Sequence, residues 1–193
     1  MNIRMLKILS LLLIPILAGC LGPAPMASEN WTIECTDVPR SGAVRGAETV
    51  RLAQVNVRAP FDGRRFVVMR PDGSMAFDAF NGFAAPPAAL MRGAAEDFFS
   101  RTPIYQLVVA ANSSANARYA LEISVTRLAL NCREEGRRTA SVALSVVVLD
   151  GRTIQAVHRG EATCATDDGN YSAAFSRAFT DALAAAFFVP STK

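Results

Sequence analysis

The sequence is poor in the residue types on which most recognisable sites depend. Its 193 residues include one histidine, one tryptophan and four cysteines. A single histidine leaves no second imidazole to complete a zinc site, and no C-x-x-C, H-E-x-x-H, Walker A or G-x-S-x-G motif is present. Four cysteines in a chain of this length exclude a small disulfide-stapled scaffold. These absences favour a protein that is not an enzyme and holds no metal.

An excess of charge of either sign is also missing. The chain has 20 Lys+Arg and 17 Asp+Glu, for a formal net charge of +3. Removing residues 1–19 takes away Arg4 and Lys7 and leaves a formal charge of +1. So small a surplus excludes an acidic disordered tail and a basic arm, and it implies no nucleic-acid partner.

Apolar residues make up 51% of the chain, and they are concentrated at its start. Arg4 and Lys7 precede an apolar run over residues 8–17, which small residues and Cys20 follow. The run is far shorter than the ~20 residues of a membrane-spanning helix, and Pro15 interrupts it. Residues 1–19 therefore have the form of a secretory signal peptide.

The end of this signal, Leu17-Ala18-Gly19-Cys20, matches the lipobox of bacterial lipoproteins. Cleavage before Cys20 would leave it as the first residue, carrying a diacylglycerol and usually an N-acyl chain; the alternative is a chance cysteine after an ordinary signal. Each buried CH₂ contributes ~0.8 kcal/mol, so several chains tether the protein to a membrane. Leu21, in place of an aspartate that retains lipoproteins at the inner membrane, favours the periplasmic face of the outer membrane.

The remaining chain is interpreted as a tether over residues 20–30, rich in proline and glycine, and one domain over residues 31–193. Alternating and β-branched stretches predict strands at residues 31–35, 49–59, 64–70, 74–80, 104–110, 119–130, 140–148 and 152–164. A bulge is expected near Arg127, and Asp150-Gly151 predicts a two-residue hairpin turn.

Two segments have helical rather than alternating spacing. The first begins at Pro86-Pro87 and ends at Arg101, before Pro103, while the second begins at Tyr171 after the capping residues 167–170. Each helix has one apolar face, and the alanines of the second favour close approach to a sheet. The predicted fold is therefore α+β: a twisted antiparallel sheet with both amphipathic helices packed on one face.

Three candidate sites for chemistry have simpler structural interpretations. His158 is expected to be a packing or hydrogen-bonded residue of a strand. Residues 167–170 lack the spacing of a calcium loop and are expected to cap a helix. Cys35, Cys132 and Cys164 remain after Cys20 is lipidated, which allows one disulfide. The predicted registers place Cys132 and Cys164 ~9.5 Å apart, beyond the ~7 Å limit, so any bridge should join Cys35 to Cys132 or Cys164.

Several motifs in the mature chain resemble those of the ABC-type transport auxiliary lipoproteins, relatives of paraquat-inducible lipoprotein C. They are the lipobox, the strand over residues 50–57, residues 61–70 (FDGRRFVVMR) and residues 80–87 (FNGFAAPP). The later hairpin at Asp150-Gly151 and the final alanine-rich helix occur in the same order. Phe80 replaces the usual tyrosine.

This resemblance implies a non-catalytic accessory lipoprotein of an Mce-type ABC system that transports phospholipid or other lipids between membranes. Its expected partners are the Mce-domain subunit and the permease and ATPase of the transporter, and some members assemble as homo-oligomeric rings. No cofactor is expected besides the covalent lipid on Cys20. The alternative is a binding or assembly lipoprotein of another envelope complex, for example in lipopolysaccharide or pilus assembly.

If one surface contacts a partner, the sequence points to the aromatic and proline-rich loop that contains Phe80, Phe83, Pro86 and Pro87. Aromatic side chains in such a loop either anchor a partner or seal the core beneath the first helix. The second interpretation is favoured.

Overall fold

The computed structural model describes residues 28–38, 46–132, 137–166 and 169–188. Within them the chain forms one sheet and two helices. In chain order they are β1 (Glu29–Trp31), β2 (Thr49–Val57), β3 (Arg65–Met69), β4 (Met75–Phe83), α1 (Pro87–Arg101), β5 (Leu107–Val109), β6 (Tyr119–Asn131), β7 (Thr139–Asp150), β8 (Thr153–Ala165) and α2 (Tyr171–Phe187). The predicted signal peptide, Cys20 and most of the tether lie outside the described residues.

Strand β6 organises the sheet because three strands pair with it. Along one edge it pairs with antiparallel β7 over its whole length, and β7 pairs in turn with β8. Along its other edge it pairs first with β2 and then with β3, both parallel. Short β5 extends the sheet beyond β2, while β4 and then β1 extend it beyond β3.

The α+β class is confirmed, but the prediction of an antiparallel sheet is wrong for a large part of it. Four of the seven strand pairings are parallel. For the pairings of β2 with β5 and β6, the reason is that α1 follows β4 and carries the chain across the sheet, so that β5 and β6 enter in the same direction as β2. Alternation of apolar residues marks a strand, but it does not encode the strand's direction.

Both helices pack on the same face of the sheet, as expected. Helix α1 packs on β2 and α2 on β7 and β8, and the helices meet where the rings of Phe99 and Phe187 lie 5.3 Å apart, edge to face. One apolar core fills the space between the helices and the sheet; among its members are Val50, Leu52, Leu121, Ile123, Val142, Leu144, Val146, Phe175, Ala178 and Ala182.

The ends of the helices follow the predicted signals. Pro87 occupies the first turn of α1, and the helix ends where the peptide nitrogen of Thr102 donates to the carbonyl of Phe98. The side-chain oxygen of Asn170 accepts from the peptide nitrogen of Ala173 at 3.0 Å, which caps α2. Residues 167 and 168 of the expected cap lie outside the described residues.

The hairpin β7–β8 differs from the predicted register. Asp150 pairs with Thr153, so Gly151 and Arg152 form the turn, and Gly151 has a φ of 61°. A further register shift between Val148 and Leu149 places Cys164 opposite Ala140 instead of Arg137. The bulge expected near Arg127 is confirmed by a register shift between Val125 and Arg127.

The first strand also ends earlier than predicted, because the chain leaves the sheet after Trp31 and crosses α2. Three hydroxyl side chains on one face of that helix hold the crossing segment. Ser176 accepts from the peptide nitrogen of Glu34 at 2.9 Å and Thr180 from that of Thr36 at 3.1 Å. The hydroxyl of Ser172 donates to the carbonyl of Thr32 at 3.0 Å. Alternation over residues 31–35 therefore reflects packing on a helix.

Candidate interaction site at the bulge of β4

The predicted contact loop lies on the hairpin formed by β3 and β4, whose turn is tightly hydrogen-bonded. The peptide nitrogen of Arg70 donates to the carbonyl of Ser74 at 2.9 Å, and Gly73 adopts a φ of 83° that favours glycine. Hydrogen bonds from the hydroxyl and the peptide nitrogen of Ser74 lower the pKa of the Asp72 carboxyl below its ordinary value. The turn fixes the register in which Met75 pairs with Met69.

A bulge interrupts β4 beyond this turn. Phe77 pairs with Val67 and Gly82 pairs with Arg65, so four residues of β4 stand opposite one residue of β3. The Asp78 carboxylate accepts hydrogen bonds from the peptide nitrogens of Phe80, at 2.8 Å, and of Asn81, at 2.9 Å. Through these bonds the side chain replaces the missing ladder partners, and the strand continues to Phe83. Sequence reasoning ended the strand at Asn81-Gly82 and overlooked Asp78.

Asn81 connects the bulge to the first strand. Its side-chain nitrogen lies 3.3 Å from both carboxylate oxygens of Asp78, and its side-chain oxygen accepts from the indole nitrogen of Trp31 at 3.2 Å. Trp31 pairs with Phe83 in the parallel ladder, and its ring packs edge to face on Tyr171 at 5.4 Å. The polar side chains of the bulge are therefore positioned by one another.

Arg64 holds the other side of the bulge. Its guanidinium donates to the carbonyl of Phe83 at 3.0 Å and to the carbonyl of Ala84 at 2.8 Å. A Cβ added at Gly82 would lie 2.7 Å from the carbonyl oxygen of Arg64, so the close approach of the two segments requires glycine there. The arginine side chain was not predicted as a site residue, although it stands within the sequence FDGRRF.

These residues surround a surface pocket of about 350 Å³. Guanidinium, carboxylate and amide groups line it together with one exposed aromatic ring; the lining residues are Ser28, Asn30, Arg64, Arg65, Asp78, Ala79, Phe80, Asn81, Gly82 and Phe83. Ser28 and Asn30, which belong to the expected tether segment, are among these lining residues.

The four predicted contact residues divide between surface and core. Phe80 is 42% exposed and lies in the pocket wall, whereas Phe83 is 1% exposed and packs its ring 4.7 Å from Phe66. Pro86 is exposed, whereas Pro87 is buried in the first turn of α1. For Phe83 and Pro87 the core-sealing interpretation fits the structure, and Phe80 and Pro86 are available at the surface.

His158 occupies the packing role expected for it. Its ring stacks on Phe187 with 4.5 Å between the centroids and 27° between the planes. In the described part of the chain no three His, Cys, Asp or Glu side chains are grouped as a metal site would need. None of the helices within the described ranges has the length and apolar character to cross a membrane.

No disulfide joins Cys35, Cys132 or Cys164, the cysteines of the described residues. The prediction that any bridge involves Cys35 therefore remains a prediction. Burial raises the pKa of the Cys35 thiol, an effect that the positive charge of Arg101 partly opposes. Cys164 lines a second pocket of about 570 Å³ between the end of β8 and α2, together with Asp37 and Arg177.

No protein-family model and no curated protein matches this chain in sequence. Among solved structures, protein XCC0632 from Xanthomonas campestris, described under the family DUF330, has a TM-score of 0.64 and 19% identity over 80% of this chain and 88% of that chain. An uncharacterized protein has a TM-score of 0.50 and 12% identity over 77% and 90% of the two chains. A dodecameric PelC from Paraburkholderia phytofirmans has a TM-score of 0.43 and 16% identity over 77% and 92%. The chain thus shares its fold with XCC0632.

Proposed function

We propose that this protein is a non-catalytic adaptor, anchored through lipid on Cys20 to the periplasmic face of the bacterial outer membrane, in an Mce-type ABC system for lipid transport. Its partners in this proposal are the Mce-domain subunit and the permease and ATPase complex. The lipobox at residues 17–20 supports the anchor. The transport role depends on the resemblance to the auxiliary lipoproteins.

One structural observation supports that resemblance above others. The two segments that carry its motifs, residues 61–70 and 80–87, are in contact at the bulge. Arg64 of the first segment donates to the carbonyls of Phe83 and Ala84 of the second, and Phe66 packs on Phe83. The two motifs are separate in sequence but contact each other in space, so they form one local structure, on which Phe80 and Pro86 are exposed. We assign the contact with the transport complex to that surface.

Affinity purification of the tagged full-length protein from membranes of the native bacterium tests the transport role. The expected result is recovery of Mce-domain and ABC subunits with the wild-type chain, and reduced recovery with Phe80→Ala. Ile154→Ala is the matched control, because its side chain is also apolar and exposed but lies on β8, outside the pocket. Recovery of a different envelope complex, or of no transport subunit together with unaltered outer-membrane lipid permeability in a deletion strain, contradicts the proposal.

The anchor is tested separately by metabolic labelling with an alkyne fatty acid. The wild-type chain should incorporate the label and fractionate with membranes, and the Cys20→Ser chain should not incorporate it. Labelling of Cys20→Ser equal to wild type would contradict attachment at this residue. Labelled protein found only in the inner membrane would contradict the proposed location but not the anchor.

A further inference from the structure

The face of the sheet opposite the helices has an uncharged end. The ring of Phe66 points toward the helices, where it lies 5.1 Å from that of Phe175. Because side chains alternate along a strand, its neighbour Val67 points to the opposite face, and so do the cross-strand partners of Val67, which are Phe77 and Ala129. Both described helices pack on the other face.

Two rows of paired residues cross the sheet here. Each row runs through β4, β3, β6, β7 and β8 and contains one residue from each strand, paired with the residue on the next strand. The first row is Phe77, Val67, Ala129, Ser141 and Thr163, and the second is Met75, Met69, Asn131, Thr139 and Ala165. We call these ten residues the hairpin end face.

No residue of the hairpin end face is charged, and its two largest exposed side chains are apolar. Phe77 is 57% exposed and Met75 is 55% exposed. The next row toward the other end of the sheet is charged. There Arg127 on β6 and Glu161 on β8 form an ion pair across Ala143 on β7. The middle of the first row is already buried, since Val67, Ala129 and Ser141 are 2%, 0% and 3% exposed, so the open surface is the edge that carries Phe77 and Met75. Two large apolar side chains exposed side by side on one edge mark a surface that another apolar phase covers.

The direction of β1 relates this face to the anchor. Glu29 pairs with Asn81 and β1 runs parallel to β4, so β1 enters the sheet from the end of β4 that carries Met75 and Phe77. Eight residues separate Glu29 from Cys20. Fully extended, they span at most about 28 Å. A lipid on Cys20 therefore keeps this end of the domain close to the bilayer.

We propose that the hairpin end face docks on the lipid surface in which Cys20 is anchored, with Phe77 and Met75 inserted among the lipid chains at the interface. This inference rests on the proposed anchor. The bilayer is the favoured occupant over a second copy because the short tether holds the face beside it at high effective concentration. None of the ten residues is charged, which lowers the cost of their entry into the interface, and the charged residues of the adjoining turn, Arg70 and Asp72, are exposed.

Fluorescence quenching by brominated lipids tests the docking on the full lipidated chain. The single native tryptophan is replaced by Trp31→Phe, and one new tryptophan is introduced by Phe77→Trp or by Ile154→Trp. Ile154 is the matched control because it is 61% exposed and apolar, and it stands near the opposite end of the sheet, where it pairs with Leu149. The rows that hold the two probes cross β6 at Ala129 and Ala120, nine residues apart, which is about 30 Å along the strand at ~3.3 Å per residue.

Each variant is reconstituted into phosphatidylethanolamine and phosphatidylglycerol vesicles, and flotation is measured on the same samples. The expected result is a blue-shifted emission and several-fold stronger quenching for the probe at position 77 than for the probe at position 154. Vesicles that float with the protein but quench both probes equally overturn the docking and leave the anchor intact. Protein that does not float with the vesicles overturns the anchor and, with it, the docking. Circular dichroism confirms that both variants are folded.

Discussion

The indole nitrogen of Trp31 donates a hydrogen bond to the side-chain oxygen of Asn81 across 3.2 Å, although 50 positions separate the two residues in the chain. On its other side Asn81 donates to the Asp78 carboxylate. One amide group therefore joins the first strand to the bulge that forms the candidate site. The geometry of the pocket depends on this side chain more than on the exposed ring of Phe80.

Replacing Asn81 by alanine should loosen this junction. The indole donor and the carboxylate each lose a partner, which is expected to cost about 1–2 kcal/mol of unfolding free energy. Because Trp31 is the only tryptophan, its fluorescence reports on the junction as well as on unfolding in denaturant. Asn56→Ala, at an exposed position of β2, should change stability by less than about 0.5 kcal/mol. Equal stability and equal fluorescence of the two variants would exclude the role assigned to Asn81.

Two phenylalanines of the loop should respond differently to truncation. Phe83→Ala removes a ring packed between Phe66 and Phe175 and is expected to cost about 3–5 kcal/mol. Phe80→Ala removes a ring that is 42% exposed, so the loss of stability should stay below about 1 kcal/mol. Denaturant unfolding of both variants measures the difference. If Phe80→Ala destabilised the protein as much as Phe83→Ala, Phe80 would be a core residue and not a contact.

The sequence predicted elements better than connections. Helix α1 and the strands of the hairpin β7–β8 are nearly where periodicity placed them, because turn and cap signals are local. The parallel pairing of β2 with β6 could not be predicted, since it depends on the path that α1 takes across the sheet. The bulge was missed because its hydrogen bonds come from Asp78, and a single aspartate within an aromatic stretch is a weak signal. The sequence identified Phe80 and Phe83 as parts of one loop, but it did not show the bulge, which leaves the ring of Phe80 exposed and that of Phe83 buried.

The contact between α2 and β8 depends on a glycine. A Cβ at Gly160 would overlap the carbonyl oxygen of Ala182, which is backbone and cannot rotate away. Gly160→Ala should therefore force the helix off the sheet, at a cost of about 1–3 kcal/mol. Gly93→Ala is the matched control, because Gly93 is an exposed position of α1 and nothing lies within 4 Å of the added carbon. There alanine should stabilise the protein by about 0.5–1 kcal/mol. Thermal unfolding of the two variants should shift in opposite directions, and shifts of the same sign would contradict the close packing of α2.

Stability should also decrease in alkaline solution because of Tyr105. Burial raises the pKa of this phenol from 10.0 to about 12, and the side chain is only 8% exposed. In the unfolded chain the phenol ionises near its ordinary pKa, so between pH 10 and 12 the unfolded state binds fewer protons than the folded state, and stability falls as the pH rises. The folding equilibrium changes by at most about tenfold per pH unit from one such group. The other groups of the chain that titrate in or near this range are two tyrosines, two lysines and the cysteine thiols, among them Cys35 with its raised pKa. Denaturant midpoints measured across it should decrease for the wild type and remain flatter for Tyr105→Phe. Parallel decreases in the two proteins would assign the alkaline loss to other residues.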